Sequence, residues 1–258
     1  MRVNLTKEKL LKGETAIGCA LQVYRSPEIA RTFAAAGFDY VFIDLEHGAF
    51  DLETAQDMIT AANGSNITPI VRVAELAYSL VARLLDSGAQ GIILPRVEDP
   101  RLLEEALSWM RFPPMGKRGY GVNATMIGYE ARGFQEIIEH QNRNTLAVVQ
   151  FETTTAMDRA DELLSVKGTD VAMVGPADLS ISLGAPGQFE HPSLISTVEK
   201  LMEKCHKHGV VPGIQVRTVA AAKFWLGKGM RFVGAGGEHG LLLEKAREAV
   251  AVLRPALG

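Results

Sequence analysis

Cysteine is scarce in this chain, which has only Cys19 and Cys205 among its 258 residues. Two cysteines in apolar surroundings do not form the disulfide framework of a small secreted domain, so we expect two reduced thiols in or near the core. No apolar run approaches the roughly 20 residues of a bilayer-spanning helix. Residues 1–7 also lack the apolar segment of a signal peptide. These absences predict a cytoplasmic protein without a membrane partner.

Basic clusters are absent as well. Lys and Arg number 27 against 30 Asp and Glu, and the net charge is −3. Binding to nucleic-acid phosphates needs a basic patch or stripe, so we expect no nucleic-acid partner. The 47% hydrophobic and 22% charged content is typical of a soluble globular protein with a sizeable core.

Lysine is missing from the ends of the predicted strands. The loops and helix ends hold Lys117, Lys167, Lys207 and Lys228. An enzyme that forms a Schiff base with its substrate therefore has no obvious nucleophile here. The glycine-rich dinucleotide fingerprint does not follow the first predicted strand either, which disfavours a dinucleotide-binding fold.

Strand-like and helix-like segments alternate along the whole chain. Apolar runs predict eight strands, at 16–21, 40–45, 69–73, 91–95, 146–151, 171–174, 211–216 and 231–235. Several of the helix-period segments between them stop at a glycine, as at Gly37 and Gly209, where a left-handed backbone favours this residue. Eight strand–helix pairs predict an α/β protein with the (β/α)8 TIM barrel fold, and an open doubly wound sheet is the alternative.

We predict a single domain over residues 1–258, because no low-complexity linker divides the chain. One long irregular insert, at 111–132, is predicted to follow the fourth strand and to lie over the mouth of the barrel, since loops of this length are usually functional. The final helix, predicted at 241–253, has an apolar face. That face can pack on its own barrel or be exchanged with a neighbouring subunit.

Polar side chains appear where four of the predicted strands end. They are Asp44, Glu46, His47, Arg72, Gln150, Glu152 and Asp178. Because a strand buried on both faces is apolar throughout, these residues mark the points where the strands emerge. The carboxyl ends of parallel strands share one edge, so the four sets predict a single active site.

Glu152 and Asp178 follow successive strands. Two carboxylates brought together without a cation repel each other, and a divalent cation such as Mg²⁺ or Mn²⁺ removes this conflict. Alternatively, each carboxylate caps the helix that follows it. The residues alone leave both interpretations open.

His47 and Arg72 each have a functional and a structural interpretation. His47 stands beside Asp44 and Glu46, which can increase its basicity and fix its tautomer, as a general base requires. A purely structural histidine is the alternative. Arg72 ends an apolar strand and needs an anion there, which is either a substrate group or the carboxylate of Asp44 or Glu46.

Five segments and one arginine together resemble the HpcH/HpaI aldolase family, and the likeness covers nearly the whole chain. They are 40–48, Arg72, 84–95, 113–119, 150–153 and 175–180. The resemblance implies a class II pyruvate aldolase, such as 4-hydroxy-2-oxoheptanedioate aldolase or a 2-keto-3-deoxy sugar acid aldolase. Such an enzyme reversibly cleaves 4-hydroxy-2-oxo acids to pyruvate and an aldehyde through a metal-stabilised pyruvate enolate. It also implies Mg²⁺, Mn²⁺ or Co²⁺ as cofactor and a homo-oligomer, most commonly a hexamer.

The resemblance further implies roles at individual positions. Glu152 and Asp178 match the metal ligands of the family. Gln150 and the backbone at Ala177 match its pyruvate contacts. Arg72 matches the arginine that polarises the keto oxygen and stabilises the enolate.

His47 is similar to the family's general base, which acts through a metal-bound water. Asp86 matches the aspartate that increases the basicity of this histidine. Asp86 lies near the end of a predicted helix, however, and in a barrel that position points toward the face opposite the active site. Either a neighbouring subunit or a different local geometry must therefore bring Asp86 close to His47.

Two positions depart from the family's usual pattern. The segment 236–240 and Gln215 stand where relatives usually carry small, hydroxyl-bearing or aliphatic residues. Gln215 offers both a donor and an acceptor, and His239 adds a titratable group, so we expect a polar, hydroxylated aldehyde. Alternatively, Gln215 caps its strand and His239 faces solvent.

Three other functions are alternatives to a pyruvate aldolase. An acyl-CoA lyase of the citrate lyase β-subunit type would carry more basic strand ends for the CoA phosphates, which this chain lacks. Oxaloacetate decarboxylation shares the pyruvate enolate and stays open as a main or side activity. A barrel that binds a keto acid without turnover is disfavoured by the presence of both a base and a metal pair.

Overall fold

The computed structural model describes residues 1–124 and 126–254. The strands are β1 (Ala16–Leu21), β2 (Tyr40–Asp44), β3 (Thr68–Arg72), β4 (Gly91–Leu94), β5 (Leu146–Phe151), β6 (Val171–Val174), β7 (Val211–Val216) and β8 (Phe232–Gly237). The helices of the described ranges are α1 (Leu5–Leu11), α2 (Glu28–Ala35), α3 (Leu52–Gly64), α4 (Tyr78–Asp86), α5 (Pro100–Trp109), α6 (Phe134–Asn144), α7 (Thr154–Asp158), α8 (Ala160–Leu164), α9 (Pro176–Ser182), α10 (Pro192–His208), α11 (Val219–Gly227) and α12 (Glu238–Leu253).

The eight strands form one closed parallel barrel in chain order, which confirms the predicted (β/α)8 TIM barrel. Each strand pairs with the next, and β8 returns to pair with β1, from Ala16 opposite Phe232 onward. In the β2–β3 pair, Asp44 lies opposite Arg72. The register thus brings a strand-end carboxylate and a strand-end arginine side by side.

Alternation along each strand decides which residues point into the barrel. Tyr40 and Phe42 belong to the apolar cluster that fills the interior, where the rings of Tyr40 and Phe232 stack with their centroids 4.2 Å apart. Because side chains of a strand alternate between two faces, Asp44 lies on the same face two residues further on. Along β2 the interior of the barrel is therefore apolar up to Phe42 and becomes polar at Asp44, at the carboxyl-terminal end.

Helix α1 covers the amino-terminal end of the barrel. The side chain of Asn4 caps this helix by accepting from the backbone N of Lys7 at 2.9 Å. Lys7 Nζ donates to the backbone O of Thr145 at 2.9 Å and to Asp170 at 3.0 Å. A nitrogen of Arg111 lies 3.6 Å from the same aspartate. The charges at this end are therefore paired within the chain.

The insert at 111–132 does not lie over the mouth of the barrel, and that prediction was wrong. It follows α5 rather than β4, and the helices of a barrel return the chain to the amino-terminal end of the strands. Its contacts agree, since Arg118 Nη2 donates to Asp86 at the end of α4 at 2.7 Å. Glu130 also pairs with the amino group of Met1.

Helix α12 leaves the barrel surface after Leu241. Every residue from 242 to 254 is exposed, including Leu242 and Leu243 at 55% and 50%. Of the two placements that the sequence left open for the apolar face of this helix, packing on its own barrel is observed only as far as Leu241 in the described ranges. None of the described helices has both the length and the apolar character needed to cross a bilayer.

Candidate active site

Asp44 organises the carboxyl-terminal end of β2. Its side chain is fully buried and accepts hydrogen bonds from Arg72 Nε at 2.9 Å and Arg72 Nη2 at 2.6 Å. It also accepts from the backbone N of Glu46 at 3.0 Å and of His47 at 3.3 Å. Burial alone would raise the pKa of Asp44, but the hydrogen bonds and charge of Arg72 lower it below the ordinary value. Asp44 is thus ionised and orders the following turn.

Arg72 is buried at the end of β3 and has several polar partners. Besides Asp44, Nη1 lies 3.1 Å from Glu46 Oε2 and donates to Gln150 Oε1 at 3.3 Å. The guanidinium carbon lies 5.1 Å from the centre of the Phe42 ring. The ion pairs that the sequence offered as a structural alternative are therefore formed. They also fix the plane of the guanidinium at the mouth.

Gln150 connects Arg72 to Glu152. Both β5 side chains are 3% exposed, and Gln150 Nε2 donates to Glu152 Oε2 at 2.5 Å. A Cβ atom on Gly175 would lie 2.8 Å from Gln150 Nε2 and 3.1 Å from Glu152 Cβ. Glycine is therefore required where β6 passes these side chains. The result is a continuous buried network from Asp44 to Glu152.

Neither predicted metal ligand acts as the cap of the helix that follows it. Thr153, not Glu152, caps α7 by accepting from the backbone N of Ala156 at 3.1 Å. Helix α9 begins at Pro176 after Gly175 and has no side-chain cap, so Asp178 lies inside its first turn. Ala177 lies in the same turn. The capping interpretation thus lacks its expected hydrogen bonds.

The carboxylates of this end crowd one another. Burial first, and then the negative charges of Glu46 and Asp178, raise the pKa of Glu152 above the ordinary value. In the described ranges, no group of three or more His, Cys, Asp and Glu side chains is placed to hold a metal ion. Glu152 and Asp178 could hold a hard divalent cation only as a two-carboxylate site, whose other positions would have to be filled by water or substrate oxygens.

His47 and Asp86 do not meet within the chain. The side chain of His47 is 51% exposed, and its Nε2 lies 3.9 Å from Glu46 Oε2. Asp86 instead accepts from Arg118 at 2.7 Å, and its backbone O accepts from Asn123 Nδ2 at 2.7 Å. Of the two routes that the sequence left open, a local geometry that joins Asp86 to His47 is not observed.

Gln215 points into the barrel beside the last strand. Its Nε2 donates to the backbone O of Gly236 at 3.0 Å, whereas its buried Oε1 has no hydrogen-bond partner among the described residues. A Cβ atom on Gly234 would lie only 1.6 Å from that oxygen, so glycine makes room for it. Gln215 therefore joins β7 to the end of β8 and has one acceptor without a partner among the described residues. His239 is 49% exposed, as expected of a residue that faces solvent.

Two residues of this end escaped the sequence reasoning. Glu238 is 1% exposed, and its Oε1 accepts from the backbone N of Gln22, Val23 and Tyr24 at 2.8, 2.5 and 3.2 Å. Arg96 follows β4 and donates from its backbone N to Glu152 Oε1 at 2.9 Å. Arg96 directly follows the predicted strand at 91–95, and Glu238 stands three residues after the one predicted at 231–235. Those positions were the available signal.

Comparisons with known proteins agree with this geometry. The chain is 33% identical over 252 residues to hydroxypyruvate/pyruvate aldolase of Roseobacter denitrificans, with 96% of each chain covered. It is 32% identical over 240 residues to 5-keto-4-deoxy-D-glucarate aldolase of Escherichia coli, with 92% of each covered. The crystal structure of an HpcH/HpaI aldolase from Desulfitobacterium hafniense superimposes with a TM-score of 0.93 at 28% identity, covering 98% of this chain and 97% of that one. The model of the HpcH/HpaI aldolase/citrate lyase family matches residues 23–244, and the chain therefore belongs to this family.

Proposed function

We propose that the protein is a divalent-metal-dependent aldolase that reversibly cleaves 4-hydroxy-2-oxo acids to pyruvate and an aldehyde. The observation that carries the proposal is the buried network from Asp44 through Arg72 and Gln150 to Glu152, beside Asp178. No lysine stands at a strand end to supply imine chemistry. The aldolase names of two relatives, each more than 30% identical, support the same reaction class.

Glu152 and Asp178 would hold the metal ion, either Mg²⁺, Mn²⁺ or Co²⁺. When bound, the ion supplies Lewis-acid polarisation of the pyruvate carboxylate and keto oxygen. Arg72, held in plane by Asp44, would donate to the keto oxygen as negative charge develops there. Gln150 and the backbone at Ala177 would orient the pyruvate unit.

His47 would accept the proton of the C4 hydroxyl as the carbon–carbon bond breaks, and return it in the reverse direction. Its half-exposed position suits exchange with water, and its Nε2 lies 3.9 Å from Glu46 Oε2. Asp86 is proposed to reach the His47 of a neighbouring subunit. The side chain of Asp86 is 23% exposed.

We propose that the protein is a homo-oligomer, most readily a hexamer, with α12 at a subunit boundary. Helix α12 exposes aliphatic side chains along its length, and burial of such surface stabilises association by roughly 25 cal/mol per Å². Light scattering at micromolar concentration tests this. A mass near that of the 27.9 kDa monomer would exclude it.

The aldehyde is proposed to be polar, because the unpartnered Oε1 of Gln215 can accept from a substrate hydroxyl. The proposed location is the cytoplasm, where the two free, buried thiols Cys19 and Cys205 stay reduced.

Release of pyruvate from a panel of hydroxy-keto acids, with and without a chelator, tests the proposed function. We expect chelation to abolish release and added Mg²⁺, Mn²⁺ or Co²⁺ to restore it. Oxaloacetate and an acyl-CoA substrate belong in the same panel, since their preferred turnover would assign one of the two alternative activities. Full turnover in a metal-stripped sample, or an imine trapped with borohydride, would contradict the proposal.

A further inference from the structure

Arg96 occupies an unusual place at the carboxyl-terminal end of β4. It follows Leu94 and Pro95, and its backbone adopts the left-handed conformation with φ +54°. A residue other than glycine is strained in this region, because its Cβ approaches the backbone carbonyl oxygen. The backbone N–H donates to Glu152 Oε1 at 2.9 Å, which holds the residue at the rim of the active site. The arginine side chain therefore starts from a fixed point beside Glu152.

The guanidinium of Arg96 is only partly engaged. Nε donates to Glu46 Oε1 at 3.0 Å, while the side chain is 65% exposed. Neither Nη1 nor Nη2 has a hydrogen-bond partner among residues 1–124 and 126–254. An arginine side chain is protonated at every pH at which a protein functions. The side chain is thus a permanent cation with two free donors.

Arg72 and Arg96 differ in what they leave available. Arg72 is buried, and its nitrogens contact Asp44, Glu46 and Gln150. Arg96 shares only Glu46 with it and carries its free N–H groups outward, on the solvent side of the same carboxylate. Two parallel N–H groups of a guanidinium match the two oxygens of a carboxylate or phosphate. Arg96 can therefore donate two hydrogen bonds to an oxyanion that approaches from solvent.

We propose that Arg96 binds an anionic group on the aldehyde half of the substrate, so that the enzyme prefers aldehydes that carry a carboxylate or phosphate. The inference rests on the proposed aldolase function and deepens it by naming the substrate class. Pyruvate lies against the buried network, and Arg96 takes the far end of the substrate. Its Nε stays on Glu46 while Nη1 and Nη2 contact the anion.

The experiment compares pairs of related aldehydes of which one member is anionic and the other neutral. In the aldol direction with pyruvate, kcat/KM is measured for glyoxylate against glycolaldehyde, and for glyceraldehyde 3-phosphate against glyceraldehyde. The variants are Arg96→Gln and Arg96→Lys, with Arg217→Gln as the matched control. Arg217 is an exposed arginine after β7 whose guanidinium carbon lies 5.9 Å from the centre of the Phe189 ring, without an ion pair in the described ranges.

We expect the wild type to prefer the anionic member of at least one pair. That ratio should fall about tenfold or more in Arg96→Gln and less in Arg96→Lys, because hydrogen bonds to charged groups are lost or weakened. Arg217→Gln should leave the ratio within about twofold, since it removes the same charge outside the carboxylate cluster. A ratio measured within one variant is independent of how much of the protein folds or carries metal.

An unchanged ratio in Arg96→Gln would overturn the inference and leave Arg96 as a partner of Glu46 only. An equal fall in Arg217→Gln would also overturn it, since the general charge of the rim would then set the preference. If Arg96→Gln does not fold, the preference of the wild type for the anionic aldehyde is measured at low and high ionic strength instead. We expect high ionic strength to abolish the preference, because salt screens the exposed contact between Arg96 and the anion. Exchange of the pyruvate methyl protons in D2O needs no aldehyde. Its absence in the wild type would therefore reject the proposed function instead.

Discussion

Asp170 at the amino-terminal end of the barrel and Glu152 at the carboxyl-terminal end are carboxylates in opposite electrostatic situations. At the amino-terminal end, Asp170 lies 3.0 Å from Lys7 and 3.6 Å from Arg111, so opposite charges face each other. At the carboxyl-terminal end, Glu152 has neighbours of its own sign, Glu46 and Asp178, and no ion-pair partner in the described ranges. The first end is complete without a ligand, and the second is not.

Residues that stabilise the fold and residues available for chemistry therefore lie at opposite ends of the barrel. A buried charge that is paired within the protein contributes to a unique fold, and its loss destabilises the protein. A buried carboxylate among like charges costs free energy of folding and is retained where a ligand supplies the missing charge. Substitutions at the two ends should therefore have different consequences, which four experiments can test.

The largest effect is expected for Arg72→Lys at the carboxyl-terminal end. Lysine keeps the charge but loses the planar fork that bonds Asp44 and donates toward the keto oxygen. We expect kcat to fall by about 10²–10³ with a modest change in metal affinity. Steady-state kinetics and a metal titration measure both quantities. A near-normal kcat would make Arg72 a structural residue and remove the contrast between the two ends.

Asp170→Ala tests the amino-terminal end. It leaves Lys7 and Arg111 without their carboxylate, and because Asp170 is half-buried at 23% exposure, loss of these interactions with a charged group costs about 2 kcal/mol. We expect denaturant unfolding to show this loss, while kcat per folded molecule stays unchanged. Lys204→Met, which removes a solvent-exposed pair with Asp161, is the control and should change stability little. Reduced kcat in folded Asp170→Ala would show that the two ends are coupled.

Gln215→Leu tests a neutral side chain at the carboxyl-terminal end. The substitution removes the unpartnered Oε1 and also the hydrogen bond from Nε2 to the backbone O of Gly236, so we expect the free energy of unfolding to fall by about 1 kcal/mol. We expect the preference for glyceraldehyde-type over unbranched aliphatic aldehydes, measured as a ratio of kcat/KM, to fall about tenfold. If the ratio is unchanged, Gln215 does not contact the aldehyde and only ties β7 to the end of β8.

Glu152→Gln should have the smallest effect, seen in the stability of chelator-treated protein. Burial and like charges raise the folded-state pKa of Glu152, so the folded protein holds a proton at pH values where the unfolded chain has released it. Stability therefore falls as the pH rises through the window between the ordinary and the raised pKa. The uncharged variant escapes this loss. We expect its thermal midpoint to exceed that of the wild type at neutral pH and to converge with it below the ordinary glutamate pKa.

Added Mg²⁺ should reverse the order of these midpoints, because it stabilises the wild type more than the variant. A variant that is less stable than the chelated wild type at neutral pH would contradict the electrostatic picture of this end.

The fold was predictable because its signals are local. Each strand is a short apolar run, and the glycines expected after helices do adopt positive φ, +90° at Gly37 and +69° at Gly209. The position of the insert was mispredicted because the insert was counted from the fourth strand, although the helix at Pro100–Trp109 lies between them and returns the chain to the other end of the barrel. Alternation of strand and helix, applied strictly, would have assigned the insert to the amino-terminal end.

The candidate site was predictable as far as strand ends alone determine it. Asp44, Arg72 and Glu152 meet because the parallel register places them at one edge. The pairing of Asp86 with Arg118 could not be predicted from the sequence. Asp86 ends a helix and Arg118 lies in the insert, so no strand pairing determines their relative position. Arg96 was overlooked because the preceding proline marks the end of the strand, and an arginine after it resembles an ordinary loop residue.

Closure of the barrel has a consequence for the synthesis of the protein. Strand β1 pairs with β8, so one edge of the first strand stays open until nearly the whole chain has left the ribosome. An open edge presents unpaired N–H and C=O groups that can recruit other chains. Contacts between such distant segments also form slowly, because the loop-closure entropy is lost before they contribute. A nascent chain that stops before Phe232 therefore exposes two open edges, at β1 and β7, and should aggregate rather than fold.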